Sequence, residues 1–248
     1  MAIICCQELI SSLTRAETVD EIHLTCSELC EQLGFDRFLY GSMIPTTFNK
    51  PHFIYISNYP AEWRARYESE NYMGIDPVVT HCASHITPVT WDYITQMGQQ
   101  DENTRQFMYE AKGFGLNSGI SIPVHTPQGE FAIFNLSSIQ NNSYTNKHIL
   151  QVMPHAQLFT AYVHEAVRRV FANDILPLGQ VNLTRREKEC LLWVADGKTA
   201  WETSQILGVS ERTIVFHMQN SAEKLNVVNR AQTVARAVSL GLITPQLA

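Results

Sequence analysis

The chain has 248 residues, 45% of them hydrophobic and 17% charged, and carries a formal net charge of −6. That length accommodates one medium domain plus one small one, and the composition is ordinary for a soluble protein. No apolar run approaches the length of a membrane span and the first residues lack the basic segment of a signal peptide, which argues against a membrane partner and points to the cytoplasm. The six cysteines (Cys5, Cys6, Cys26, Cys30, Cys82 and Cys190) form no CxxC pair and no grouping with histidine. Reduced structural thiols are therefore expected, with neither a metal nor a cofactor.

In chain order, residues 19–33 read as a helix, with Ile22, Cys26 and Leu33 on one face and Gly34 as its stop. Residues 38–40 and 53–56 look like strands. Residues 60–67, 77–86 and 102–113 read as helices. Residues 119–124 and 131–136 flank a turn at Thr126, Pro127, Gln128 and Gly129, the signature of a hairpin. One long helix is expected over residues 145–171. Pro177 and Gly179 then interrupt any helix, which places a linker at residues 172–181. The expected fold class is α+β: an N-terminal α-β-α sandwich with a central antiparallel sheet over residues 1–171, and an all-α helix-turn-helix domain over residues 182–248.

The C-terminal part carries the sharpest signal. Thr184 with Glu187, and Thr199 with Glu202, are two capping boxes, in which the Thr hydroxyl accepts from the first turn and the Glu reaches back. Cys190, Leu191, Val194 and Ala195 recur at helical spacing until Gly197. A short helix follows through Ile206 and Leu207, then Gly208 supplies a turn and Ser210 caps a third helix. A short helix, a Gly-containing turn and a longer helix is how a recognition helix is presented to a major groove. Ile214, Met218, Ser221 and Leu225 form the buried stripe of that third helix. Gln219 and Asn220 can pair with adenine, Arg212 with guanine or phosphate, and Val215 can touch a thymine methyl. Phe216, Thr199 and Thr213 complete the candidate surface, with Lys224 and Arg230 as phosphate contacts. The alternative is an ordinary solvated helix in a bundle.

Charge divides the same way. Residues 182–248 hold eight Lys and Arg against six Asp and Glu, net +2, while residues 1–181 hold ten against eighteen, net −8. Only the C-terminal part suits phosphate, and a net of +2 is small enough to argue for a dimer on an inverted repeat of double-stranded DNA. Apolar stripes for dimerisation are present on the long helix and on a last helix opening at Asn229, with Ala231, Val234, Ala235 and Val238 at helical spacing.

In the first domain Tyr59, Trp63 and Tyr67 are spaced four apart and share one face of a helix. Asp76 lies in an apolar neighbourhood before Pro77. It is either a helix N-cap or a carboxylate kept for a ligand, and the aromatics are either core or cavity wall.

These residues resemble those of the LuxR-type regulators of bacterial quorum sensing, which bind acyl-homoserine lactones. The likeness runs through residues 58–63, Tyr67, residues 75–77, Trp91, Gly115 with Leu116 and Gly119, and residues 183–225. It implies a ligand-responsive transcription factor with an acyl-homoserine lactone in the first domain, no enzyme activity, and RNA polymerase among its partners. By that resemblance Trp63 meets the lactone carbonyl, Asp76 accepts from the amide N–H and Tyr59 donates to the acyl carbonyl. Tyr67 and Trp91 wall the lactone end, and Gly119 matches a glycine on the adjoining strand. Ser121 can add a polar contact, Arg64 either reaches a 3-oxo group through water or is a solvated arginine, and Asn135 stands where many relatives place Ser or Thr. The polarity agrees: Trp donates only, ionised Asp accepts only, and the Tyr hydroxyl can donate. Two rivals stand beside this reading. One is a DNA-binding regulator whose first domain senses a non-lactone signal or only dimerises. The other is an enzyme, although His81, His85 and His125 have no nucleophile or metal-ligand pattern beside them.

Overall fold

The computed structural model describes residues 2–44, 51–98, 101–127, 129–140, 143–171 and 181–244. Residues 172–180 of the expected linker lie outside these, as do the side chains of Cys5 and Cys6. The described part divides into two units.

The first unit opens with α1 (Ala2–Arg15) and α2 (Val19–Gln32), followed by β1 (Arg37–Ile44) and β2 (His52–Ser57). Next come α3 (Ala61–Ser69), a single 3-10 turn (Tyr72–Gly74), α4 (Pro77–Ser84), β3 (Val89–Thr90), α5 (Trp91–Met97) and α6 (Glu102–Gly113). The unit closes with β4 (Ser118–His125), β5 (Phe131–Ser138) and α7 (Ser143–Val170). The sheet order is β2-β1-β5-β4-β3, with β1 and β4 antiparallel to β5 and β3 antiparallel to β4. The hairpin and the helices anticipated at 19–33, 60–67, 77–86, 102–113 and 145–171 are present, their ends shifted by a few residues. The helix α1, the strand β3 and the helix α5 were not anticipated.

Both faces of the sheet are covered, so β4 is buried from Ser118 to Pro123 rather than alternating. Neighbouring residues of β5 show the two layers. The Phe134 ring meets Phe159 of α7 at 6.3 Å, while Ile133 joins Trp63, Trp91 and Phe107 on the opposite side. On the first face α1, α2 and α7 pack together, and His164 of α7 shares a 2.7 Å hydrogen bond with the Tyr40 hydroxyl. The long helix also satisfies the orphan carbonyls of its neighbours. The Arg169 guanidinium donates to the carbonyls of Leu13 (2.6 Å) and Ala16 (2.9 Å), and His148 Nε2 lies 2.7 Å from the carbonyl of Leu33. On the second face α4 and α5 pack against β4.

The second unit contains α8 (Arg185–Ala195), α9 (Ala200–Leu207), α10 (Glu211–Lys224) and α11 (Arg230–Ser239). Both capping boxes form. Gly197 (φ 84°) and Gly208 (φ 65°) take the left-handed backbone that ends α8 and α9. Leu183, Leu191, Leu225, Ala237 and Ile243 make the core, with Ile214 also fully buried. Ala195, expected on the buried face, is exposed because α8 ends there. Among the described residues no helix is long and apolar enough to cross a membrane, and no cluster of His, Cys, Asp or Glu could hold a metal ion. Cys26, Cys30, Cys82 and Cys190 are buried and free.

Candidate functional site

A cavity of about 310 Å³ lies between the sheet and the helices of its second face. Its walls are largely aromatic and aliphatic, and its polar groups are few: Ser42, Tyr55, Tyr59, Trp63, Arg64, Tyr67, Glu68, Asp76 and Asn135. This is the usual make-up of a small-molecule site, with an apolar lining and a small number of placed polar atoms.

The segment from α3 to α4 supplies the anchors. Pro60 begins α3 and buries Trp63 against Tyr67 (6.0 Å), Phe107 (5.7 Å) and Phe114 (5.3 Å). The α3 and 3-10 segments are latched to α6, where Glu110 accepts from the Tyr72 hydroxyl (2.6 Å) and from Arg66 Nε (3.2 Å). Those bonds hold the Glu110 carboxyl below the usual carboxylate range.

Asp76 caps a helix and also lines the cavity. It caps α4, its Oδ1 accepting from the backbone of Val78 (2.8 Å) and Val79 (3.2 Å), and Pro77 occupies the first helical position. Its Oδ2 accepts from the Tyr67 hydroxyl at 3.0 Å and the residue lines the cavity. Burial pushes the carboxyl up to about 6, against the opposing pull of Tyr67 and the two backbone amides. Tyr59 is buried beside the Ser137 hydroxyl without an aligned hydrogen bond, and burial raises its phenol well above the usual range.

Ser121 sits differently from expectation. The Trp91 indole donates to Ser121 Oγ at 2.8 Å, and fully buried Ser121 is not part of the cavity wall. The Ser121 hydroxyl thus fixes the orientation of Trp91, which does line the cavity. Gly119 explains how the indole fits: a Cβ there would stand 2.5 Å from the Leu136 carbonyl oxygen and 3.0 Å from two indole carbons. Arg64 is exposed yet reaches the lining, as does Asn135 from β5.

In the second unit, Arg212, Val215, Phe216, Gln219 and Arg230 are exposed, and Asn220 is half-buried. Met218, expected in the buried stripe, is half-buried, whereas Ile214, Ser221 and Leu225 are fully buried. Thr199 and Thr213 serve the caps of α9 and α10, Thr213 through its amide and a 2.8 Å contact to the Ser210 hydroxyl. Lys224 is already engaged within the unit. Its ammonium reaches both oxygens of buried Glu187 (2.9 and 2.7 Å) and the Asn182 carbonyl (3.2 Å). Burial raises the Glu187 carboxyl, but Lys224 and the Thr184 amide outweigh it and leave the group below its usual range. Arg230 donates to the Lys198 carbonyl.

Residues 18–167 match the family model described as an autoinducer binding domain, and residues 181–237 match that of bacterial regulatory proteins of the luxR family. The chain belongs to the LuxR family. It is 34% identical over 247 residues to the transcriptional activator AnoR of Acinetobacter nosocomialis, covering 96% of this chain and 98% of that protein. It is 30% identical over 237 residues to the transcriptional activator LuxR of Aliivibrio fischeri, covering 96% and 94%. Among solved structures, Escherichia coli SdiA aligns with a TM-score of 0.76 at 26% identity, covering 96% of this chain and 98% of that one. SdiA in complex with octanoyl-rac-glycerol aligns at 0.73 and 25%, covering 98% and 96%.

As a member of this family the chain is a ligand-responsive, DNA-binding transcriptional regulator of the quorum-sensing type, and not an enzyme. Several lining residues of this LuxR-family cavity went unnoticed in the sequence, among them Ser42, Phe53, Tyr55, Glu68, Met73 and Phe107. A period-two pattern from Phe53 to Tyr55 was the available signal, since both side chains leave one face of β2. The others are brought in by long-range packing that no local spacing announces.

Proposed function

We propose that the first unit binds an acyl-homoserine lactone in the cavity and that the protein, as a homodimer, binds an inverted-repeat promoter site, with RNA polymerase as a further partner. The observation that carries the lactone reading is the Asp76 carboxylate. It is buried in an aromatic cavity, and its Oδ2 receives only the Tyr67 hydroxyl, which leaves acceptor capacity for a ligand N–H. A charge-assisted bond of this kind contributes roughly 1.5–3 kcal/mol. In this reading Trp63 donates to the lactone carbonyl, Tyr59 to the acyl carbonyl, and Tyr67 and Trp91 enclose the ring. Arg64 serves a 3-oxo group through water, and Asn135 lies along the acyl chain. Ser121 contributes indirectly, by holding Trp91.

The exposed side chains of Gln219 and Arg212, with half-buried Asn220 beside them, support base readout, with Val215 and Phe216 as apolar contacts. Arg230 remains a phosphate contact. The bonds made by Lys224 favour a structural role, so its contribution to phosphate binding is secondary. Dimer surfaces are proposed on α7, where Leu150, Leu158 and Tyr162 are exposed at multiples of four residues, and on α11, where Val238 is exposed.

The test is expression with a panel of lactones, followed by mass spectrometry of the small molecule released on denaturing the purified protein, with promoter activity measured in parallel. A retained lactone and lactone-dependent promoter activity are expected. A second reading has its own support in the octanoyl-rac-glycerol complex of SdiA. An acylglycerol would place the same apolar tail on the cavity walls and offer a hydroxyl, in place of an amide, to Asp76. Recovery of an acylglycerol and no lactone would replace the first reading with the second.

A further inference from the structure

Four buried oxygens of the first unit have no aligned hydrogen-bond partner among the described residues: the hydroxyls of Ser57, Tyr59 and Ser137, and Asn135 Oδ1; the last three belong together. Asn135 and Ser137 lie two apart on β5, so their side chains leave the same face of the sheet. That is the cavity face, because Leu39, paired with Asn135 across the sheet, lines the cavity, as do Asn135 and Tyr59 themselves. Ser137 is completely buried and Tyr59 is nine-tenths buried. Buried polar groups without partners are rare, and three on one wall call for an occupant.

The donor and acceptor chemistry defines it. Both hydroxyls donate and accept, whereas Asn135 Oδ1 only accepts. An acyl-homoserine lactone carries a single N–H, assigned above to Asp76, and its remaining polar atoms are all acceptors. It therefore brings no donor for Asn135.

We infer that Tyr59, Asn135 and Ser137 form a recess that binds one O–H group, supplied either by an ordered water or by a hydroxyl on the acyl chain of the signal. Such a group donates to Asn135 and accepts from Ser137, or from Tyr59 where no acyl carbonyl takes the Tyr59 proton. Three converging polar partners meet the requirement for a buried water. The acyl-hydroxyl source rests on the lactone reading; the water source does not.

The experiment uses the full chain with N-octanoyl-, N-(3-oxooctanoyl)- and N-(3-hydroxyoctanoyl)-homoserine lactone. Affinities are measured for the parent protein, Asn135→Leu and Ser137→Ala, and the parent is crystallised with the N-octanoyl compound. If the signal supplies the hydroxyl, the 3-hydroxy compound binds about ten-fold tighter than the other two, a preference that disappears in Asn135→Leu. If water supplies it, the three bind alike, and the crystal structure shows an oxygen about 2.7–3.2 Å from Asn135 and from Tyr59 or Ser137. Equal affinities with no such oxygen, and with Asn135 bonded directly to Tyr59 or Ser137, overturn the inference. Ser137→Ala is the smaller change, and it keeps the comparison available if Asn135→Leu fails to fold. If none of the three lactones binds, it is the lactone reading that falls, and the recess is then judged on the crystal structure alone.

Discussion

Asp76 shows how one side chain can cap a helix and line a cavity at once. Its Oδ1 completes the first turn of α4 while Oδ2 faces Tyr67 and the cavity. Asn caps a helix about as well as Asp, so Asp76→Asn preserves the cap and changes the cavity side alone. There the amide is a weaker acceptor, or presents a donor to the ligand N–H. Dose-response curves for the cognate lactone are expected to move further right for Asp76→Asn than for Tyr59→Phe, which removes one hydroxyl. Equal shifts would mean the anchors are misassigned. The pH dependence has a definite sign. Because the folded carboxyl is raised from 3.8 to about 6, its contribution to stability without ligand is full below the ordinary value and is lost as pH rises through 6. Ligand binding runs the other way, because it uses the ionised form. Affinity is expected to fall as pH drops from 7.5 to 5, with a bend near 6 that Asp76→Asn lacks, as titration calorimetry across that range would show.

At the level of elements, two fittings stand out. The first is the approach of Trp91 to β4, which the absence of a Cβ at Gly119 permits. Gly119→Ala forces either the indole or the Leu136 carbonyl to move, and overpacking of this kind costs about 1–3 kcal/mol. A lowered melting temperature and altered tryptophan fluorescence are expected. Gly74→Ala, which meets nothing within 4 Å, is the control. The second fitting ties the end of the recognition helix α10 to the start of α8 through Lys224 and Glu187. Lys224→Ala leaves a buried carboxylate without its cation, a loss of about 3 kcal/mol at the lower end of the range for such pairs. Thermal melts should resolve that loss in the second unit, whereas Gln219→Ala should leave the melt unchanged. Gln219→Ala is instead expected to cost about 1–3 kcal/mol on the preferred site and to relax base preference at one position per half-site in binding-site selection.

These fittings mark what was legible in advance. The capping boxes at Thr184 and Thr199, the stops at Gly197 and Gly208 and the hairpin at 118–138 follow from local chemistry, and all are present. The tether from Lys224 to Glu187 spans 37 residues and that from Trp91 to Ser121 spans 30, so neither has a local signature. Helix α1 was readable, since Leu9 and Leu13 lie four apart and are buried, with buried Ala16 just past its end. The capping box of Thr18 with Glu21 was equally visible. For α5 the cue was Thr90, which caps it, and a two-residue β3 is too short to show a pattern.

For the whole molecule, a cavity with unpaired polar groups is expected to make the fold responsive to a ligand, because binding only the folded state raises apparent stability by mass action. Melting temperature is expected to rise with the cognate lactone, and a melt unmoved by every lactone at saturation would overturn this. Val238 is half exposed on α11. Val238→Glu should weaken DNA binding, measured by mobility shift, while ligand-dependent solubility persists. Loss of both together would make the residue part of a folding core.

The strand order also sets a timetable for assembly. During synthesis β1 emerges early, yet its antiparallel partner β5 begins only at Phe131, and the carbonyls of Leu13 and Ala16 wait for Arg169. Until those late residues leave the ribosome, the aromatic walls of the first unit have no closed sheet to rest against. Such long-range closure is slow, and it leaves sticky surface open in the meantime. A small molecule present while the nascent chain is closing is therefore expected to raise soluble yield more than one added after synthesis, and expression with the lactone given at either time would check it.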